Sequence, residues 1–223
     1  MPNDSTHPSQ PGLTTSETIE TLLQRRSIRK YSDAPVSDAQ VDAILQAAFR
    51  APTSSNIQSY TVITVRDPGT KQKLSVPAGN QKHIVDCPVF LAFCADLTRL
   101  EHVLQERGHT LEDNNLEIGL VSSIDASLVG MSAYLAADSL GIKGVMIGAV
   151  RNDAVEIAKI LELPKFVYCV FGICLGYPAE MPQQKRGEAE TLPVDLPHST
   201  VLYVCFAPVS SPQKHDTGLL NVV

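Results

Sequence analysis

The chain reads as an α+β domain with about four core strands and more helix than strand. Three observations lead to that class. Apolar runs of strand length lie at 60–65, 89–94, 143–148 and 167–176, and unbroken runs of this kind mark strands covered on both faces. Between them are segments whose apolar residues recur every three or four positions, the period of a helix. Strands and helices do not alternate one for one, and neither a GxGxxG following a strand nor a GxxxxGK[ST] occurs. A doubly wound nucleotide fold and a P-loop are therefore not signalled.

The elements follow in order. Residues 1–15 are rich in Pro, Ser and Thr, and are expected to form a loose tail without the hydrophobic core of a signal peptide. Ile19, Leu22 and Leu23 mark one face of a short helix, and Thr14-Thr15-Ser16-Glu17 reads as its capping box. The helix runs into Arg25-Arg26-Ser27-Ile28-Arg29, with β-branched Ile28 taking the chain out of it. Three guanidinium groups and a hydroxyl within five residues, at a helix-to-loop junction, suit planar capture of an anion such as phosphate. A solvated basic turn is the alternative on spacing alone.

Ser37-Asp38-Ala39-Gln40 is a second capping box, and Val41, Ile44, Leu45 and Ala48 follow at helical spacing until Pro52. The loop at 52–59, with Thr53, Ser54, Ser55 and Asn56, is dense in hydroxyls and amides. The strand at 60–65 closes at an Asp67-Pro68-Gly69 turn. A short helix is expected over 70–75, then a polar stretch at 78–83 containing Gln81 and His83. Residues 98–117 are charged and weakly periodic, giving surface helix and loop. The long helix is expected over 119–140, with Leu120, Ile124, Leu128, Met131 and Leu135 at helical spacing and small residues elsewhere. Such a helix is buried on several sides, by its own domain or by a second subunit. Asn152 is expected to cap a helix reaching about 161. After Lys185-Arg186-Gly187, one further strand-like run at 199–206 is isolated by proline-rich linkers and needs a partner strand.

Composition narrows the function. The chain has 223 residues and a formal net charge of −6, which argues against nucleic acid as partner. The run at 118–142 contains Asp125 and Asp138, each costing roughly 2.5–3.5 kcal/mol at a bilayer centre, so no membrane span is expected. Five cysteines without a CxxC pair indicate a reducing, cytoplasmic setting, with no zinc and no disulfide frame. No His/Asp or Cys/His constellation stands out. His83 and His109 read as surface or structural.

Together, Arg25-Arg26-Ser27-Ile28-Arg29, Pro52-Thr53-Ser54-Ser55-Asn56-Ile57-Gln58, Gly79-Asn80-Gln81-Lys82-His83, Gly144-Val145-Met146-Ile147-Gly148 and Phe171-Gly172-Ile173-Cys174-Leu175-Gly176-Tyr177-Pro178 resemble the FMN-dependent nitroreductase superfamily, in its flavin reductase P-like, NADPH-oxidising branch. The likeness covers about 16–186. It implies a nitroreductase-like fold, with a mostly antiparallel central sheet flanked by helices and the long helix buried at a homodimer interface. It also implies an FMN-binding domain at 16–186, and an extension at 187–223 packing on the partner subunit. The site would be shared between subunits. Arg25, Arg26 and Ser27 would meet the FMN phosphate and ribityl chain, and Arg29 the N1/O2 side of the ring. Thr53, Ser54, Ser55 and Asn56 would approach from the partner subunit, Gln81 would reach the ring's polar edge, Ile147 and Gly148 would face N5 and O4, and Lys185 and Arg186 the phosphate. This branch often has a glycine where Ala149 stands and Lys-Pro-Arg where Lys185-Arg186-Gly187 stands.

The activity implied is ping-pong hydride transfer from NADPH or NADH to flavin N5 and on to a nitroaromatic, quinone or flavin acceptor, with no catalytic side chain beyond Arg29 as a tuner of the ring. Two alternatives stay open: other flavin chemistry on the same fold, such as reductive dehalogenation or flavin breakdown, and a non-catalytic flavin-binding protein.

Overall fold

The computed structural model describes residues 14–112, 115–181, 190–194 and 202–206. Chain contacts separate into two units that divide between Met181 and Pro182.

The first unit is built on a four-stranded antiparallel sheet of order β1-β2-β4-β3. Its strands are β1 (Tyr60–Val65), β2 (Val89–Asp96), β3 (Lys143–Ile147) and β4 (Val167–Gly176). The register runs from Tyr60↔Ala95 to Val65↔Phe90, from Val89↔Leu175 to Asp96↔Val167 with a bulge at Phe93/Cys94, and from Lys143↔Gly176 to Ile147↔Gly172. Around it lie α1 (Glu17–Gln24), α2 (Asp38–Ala48), α3 (Pro68–Ser75), α4 (Lys82–Asp86), α5 (Thr98–Glu106), α6 (Leu116–Ser139) and α7 (Ala154–Ile160).

Strand β2 shows why its sequence is apolar at nearly every position. Val89, Leu91, Phe93 and Ala95 share one core with α2 and α6, while Phe90, Ala92 and Cys94 share the other with α3, α4 and α7. Both faces are covered, so the alternation of a half-solvated strand has no cause here. Phe93 stacks on Phe171 with ring centroids 5.1 Å apart. Gly130 of α6 makes room for that stack, since a Cβ there would lie 2.3 Å from the Phe171 ring.

The expected capping box at 37–40 is present in both directions, Ser37 accepting from the Gln40 N–H and Gln40 accepting from the Ser37 N–H. The box expected at 14–17 is not formed: Ser16 alone caps α1, accepting from Ile19 N. Asp153, not Asn152, caps α7, because its carboxyl oxygen reaches Glu156 N at 3.0 Å. The polar stretch at 78–83 ends inside α4, a five-residue helix too short to show a period.

Helix α6 orients contrary to the weight of its large residues. Ser122, Asp125, Ala126, Val129, Gly130, Ala133, Tyr134, Ala137 and Asp138 face the protein, whereas Leu116, Leu120, Ile124 and Leu128 are exposed. The small side chains let the helix lie close to the sheet. By length and composition alone α6 could cross a membrane, but Asp125 and Asp138 are both buried against the unit's own residues.

In the second unit, the strand expected to be isolated has a partner in its own chain. β6 (Leu202–Phe206) pairs antiparallel with β5 (Glu190–Val194), from Glu190↔Phe206 to Val194↔Leu202. A proline at 193 and short length hide β5 in the sequence.

Candidate functional site

The arginine segment is fastened to the edge of the sheet. Helix α1 ends at Arg25, and the chain then runs extended beside β3, with Ser27 bridging Gly144 in parallel and Ile28 N donating to Gly144 O at 2.8 Å. Ile28 is buried and Arg29 exposed, as the two-residue period of an extended chain dictates. Gly144 is required by this approach: a Cβ there would lie 2.2 Å from the Cys174 carbonyl oxygen.

Two tyrosines hold the segment from beneath. Tyr134 of α6 presents its hydroxyl to the carbonyls of Gly144 (2.8 Å) and Arg26 (3.0 Å), and the Arg25 guanidinium sits 5.5 Å from the centre of its ring. That distance is within cation–π range. Tyr31 donates to Ile28 O at 2.8 Å and approaches Cys174 O at 3.4 Å. Burial, with the neighbouring Cys174 and Cys87 thiols, drives its phenol pKa far up while Arg29 pulls it down. Neither tyrosine is marked by spacing in the sequence, because each acts through backbone carbonyls brought together only by the fold.

Two further segments converge here. Gly79 and Asn80, both at positive φ, turn the chain out of α3 and deliver Gln81 to the first position of α4, half-buried. His83, one turn on, feels the Arg29 charge, and its Nε2 is a buried nitrogen without a hydrogen-bond partner. Ile147 ends β3, and Gly148 opens a 3-10 turn, Gly148–Arg151, with its backbone exposed. The Arg151 guanidinium lies under Gly148, 3.2 Å from where a Cβ would stand, and its Nη1 donates to Val170 O. Asn152 reaches back toward Gly79.

The loop carrying Thr53, Ser54, Ser55 and Asn56 is anchored elsewhere on α6. Asp125 accepts from Ser54 N (2.9 Å), Ser59 N (3.2 Å) and Ser59 Oγ (2.9 Å). Ser55 and Asn56 adopt positive φ in a 3-10 turn. Asp125 and Tyr134 are nine positions apart on the helix, about 13 Å along the axis at 1.5 Å per residue. One protomer thus gathers Arg25, Arg26, Ser27, Arg29, Gln81, Ile147 and Gly148 around one end of β3, and carries Thr53–Asn56 at a distance. Lys185 and Arg186 lie outside the described residues. Asp125, Tyr134 and Tyr31 were not singled out as site residues; an acid inside an otherwise apolar helix is the one sequence signal that pointed to any of them.

The donor set suits a flavin mononucleotide. Two guanidiniums and a hydroxyl stand together at Arg25–Ser27 for a phosphate dianion, a permanently charged Arg29 lies beyond them, and the exposed backbone of Gly148 leaves room for a flat ring. His83 Nε2 adds an unsatisfied polar atom at the margin.

Fold and site define an α+β protein with an arginine-lined anion cradle at the edge of an antiparallel sheet. A model of the nitroreductase family matches residues 22–177. The chain is 44% identical over 185 residues to the FMN reductase (NAD(P)H) of Bacillus subtilis, covering 79% of this chain and 74% of that protein. It is 39% identical over 170 residues to the oxygen-insensitive NADPH nitroreductase of Salmonella typhimurium, covering 76% and 69%. Among solved structures, NfrA2 of B. megaterium superposes with a TM-score of 0.76 at 38% identity, covering 79% of this chain and 72% of that one. The NADPH:FMN oxidoreductase of Vibrio harveyi complexed with NAD+ gives 0.72 at 35% identity, covering 76% and 72%. The chain belongs to the nitroreductase family, and within it to the flavin reductase P-like branch.

Proposed function

We propose that the chain is an FMN-dependent NAD(P)H oxidoreductase reducing flat acceptors such as nitroaromatics, quinones or free flavin. The observation that carries this reading is the arginine segment locked onto β3, with Gln81 and the Gly148 backbone at the same end of the sheet. It is supported by relatives named as FMN reductases and NADPH oxidoreductases. When bound, FMN supplies the two-electron chemistry that links a nicotinamide donor to the acceptor. The protein's part is to bind and tune. Arg25, Arg26 and Ser27 hold the phosphate and ribityl chain, and Lys185 and Arg186 are assigned to the same phosphate. Arg29, charged at any working pH, favours the more anionic state of the ring, and Gln81 fixes its polar edge. The small Gly148 admits donor and acceptor in turn to one ring face.

The site is completed by a second copy of the chain, whose Thr53–Asn56 loop is held by its own Asp125. The exposed leucine and isoleucine stripe of α6 is the surface through which two copies meet. The reading is tested by reconstituting the protein with FMN and adding NADPH or NADH without oxygen. The yellow protein should bleach and recover its colour with a quinone, and Arg25→Met should weaken FMN binding by about tenfold or more, in line with the loss of roughly 1.5–3 kcal/mol for a charge-assisted hydrogen bond. A protein that ignores FMN would remove the proposal.

A further inference from the structure

Strands β2 and β4 bring together two thiol pairs that the proposed function does not use. Cys94 and Cys169 are direct partners in the register, and their thiols are hydrogen-bonded. Cys87, at the end of α4 just before β2, meets Cys174 of β4 in the same way. Cys87, Cys94 and Cys174 are fully buried and Cys169 nearly so.

The pairs differ in the charge beside them. Lys71 is 6% exposed, and its Nζ donates to the Cys87 carbonyl oxygen at 2.5 Å. None of the ion pairs among the described residues includes it. A buried ammonium without a carboxylate favours ionisation of whatever acid stands nearest, and the nearest are these thiols. The hydrogen bond from Cys174 and the charge of Lys71 overcome burial and lower the Cys87 thiol, while burial raises Cys174. At the second pair, the Cys169 hydrogen bond, burial and the charge of Asp96 all drive Cys94 up.

We propose that Cys87 and Cys174 are an oxidation-sensitive dithiol, in which Cys87 attacks a hydroperoxide and Cys174 closes a disulfide, with Lys71 supporting the attacking thiolate. Cys87 thiolate displaces hydroxide from hydrogen peroxide and becomes a sulfenic acid. The Cys174 sulfur then attacks the Cys87 sulfur and expels water. Two thiols and one peroxide yield one disulfide and two waters, the cysteines losing the two electrons that the peroxide gains. The resulting crosslink would tie the end of α4 to β4 directly behind Tyr31, whose hydroxyl touches the Cys174 carbonyl and holds the arginine segment at Ile28.

The test needs no flavin. Native full-length protein is treated with a few equivalents of hydrogen peroxide, alkylated in denaturant, and its peptides mapped by mass spectrometry. Cys87 and Cys174 should be found joined while Cys94 and Cys169 are alkylated. In Cys174→Ser, Cys87 should instead accumulate as a sulfenic acid captured by dimedone. Lys71→Met should slow loss of the Cys87 thiol about threefold for each tenfold loss of thiolate, because nucleophilicity rises as basicity rises. The two pairs are equally buried, so a reaction governed by access alone would oxidise them together. Equal oxidation of both pairs, prior oxidation of Cys94–Cys169, or no reaction until the circular dichroism of the fold is lost would each overturn the proposal. Should Lys71→Met fail to fold, the comparison of the two pairs in the wild type decides the matter alone.

Discussion

Burial and the neighbouring Arg29 guanidinium push the His83 imidazole below its ordinary pKa, against a smaller pull from Asp86. The native protein therefore keeps His83 neutral at a pH where the unfolded chain has begun to protonate it. Below about pH 6.5 the unfolded state binds the extra proton and stability must fall, whereas above that value both states are neutral and the contribution is flat. His83→Gln should abolish this component, so that denaturant midpoints of wild type and variant run parallel from pH 7 to 8 and diverge as the pH falls from 6.5 to 5.5, the wild type losing more. Parallel midpoints throughout would mean that Arg29 does not act on His83. The same neighbourhood explains why Arg29 and not Arg25 is the cation assigned to the ring: Arg25 is committed to the Tyr134 ring, while Arg29 is exposed beyond the last anchoring carbonyl.

Asp125 organises an entire element. Its two carboxyl oxygens satisfy two backbone N–H groups and one hydroxyl of the loop between α2 and β1, in a place where Asp125 itself is 1% exposed. Removing them strands two backbone donors, at about 1–3 kcal/mol each. Asp125→Ala should therefore lower unfolding stability by about 2–5 kcal/mol and make the 53–59 amides exchange faster; unchanged exchange would show that the loop is held by other contacts. Asp125 was legible in the sequence only as a charge that no membrane helix would carry, since its partners lie 66–71 positions away. Elements with a local cause were read closely: β1 from its β-branched run and the Asp67-Pro68 turn, α2 from its reciprocal cap, β4 from ten apolar or small residues ending at a Tyr-Pro pair. What escaped had no local cause. α4 is too short for a period, β5 contains a proline, and the hydroxyls of Tyr31 and Tyr134 bind carbonyls set by tertiary packing. The arginine cluster was visible as chemistry, but the reason it stands still was not.

At the scale of the molecule, α6 poses the largest unanswered energetic demand. A helix apolar on all sides gives no hint of which face turns inward, and here the sheet takes the small residues while Leu116 remains 83% exposed, with Leu120, Ile124 and Leu128 following at four-residue spacing. Ile19, Leu22 and Leu23 of α1 are exposed as well. A contiguous stripe of this kind is characteristic of an interface, and a two-fold pairing of identical chains uses each residue of the stripe twice. Burying one such side chain contributes about 1.5–3 kcal/mol, so Ile124→Asp, which also buries a charge, removes about 3–6 kcal/mol from a symmetric dimer through its two copies. At 1.4 kcal/mol per tenfold, that raises the dissociation constant by about two to four orders of magnitude. The wild type should sediment at micromolar concentration with twice the chain mass, Ile124→Asp at the chain mass with loss of FMN retention, and Val155→Asp, on the exposed face of α7, as the wild type does. A wild-type monomer that keeps FMN, or an Ile124→Asp dimer, would show that the stripe is not the surface on which two chains build the site.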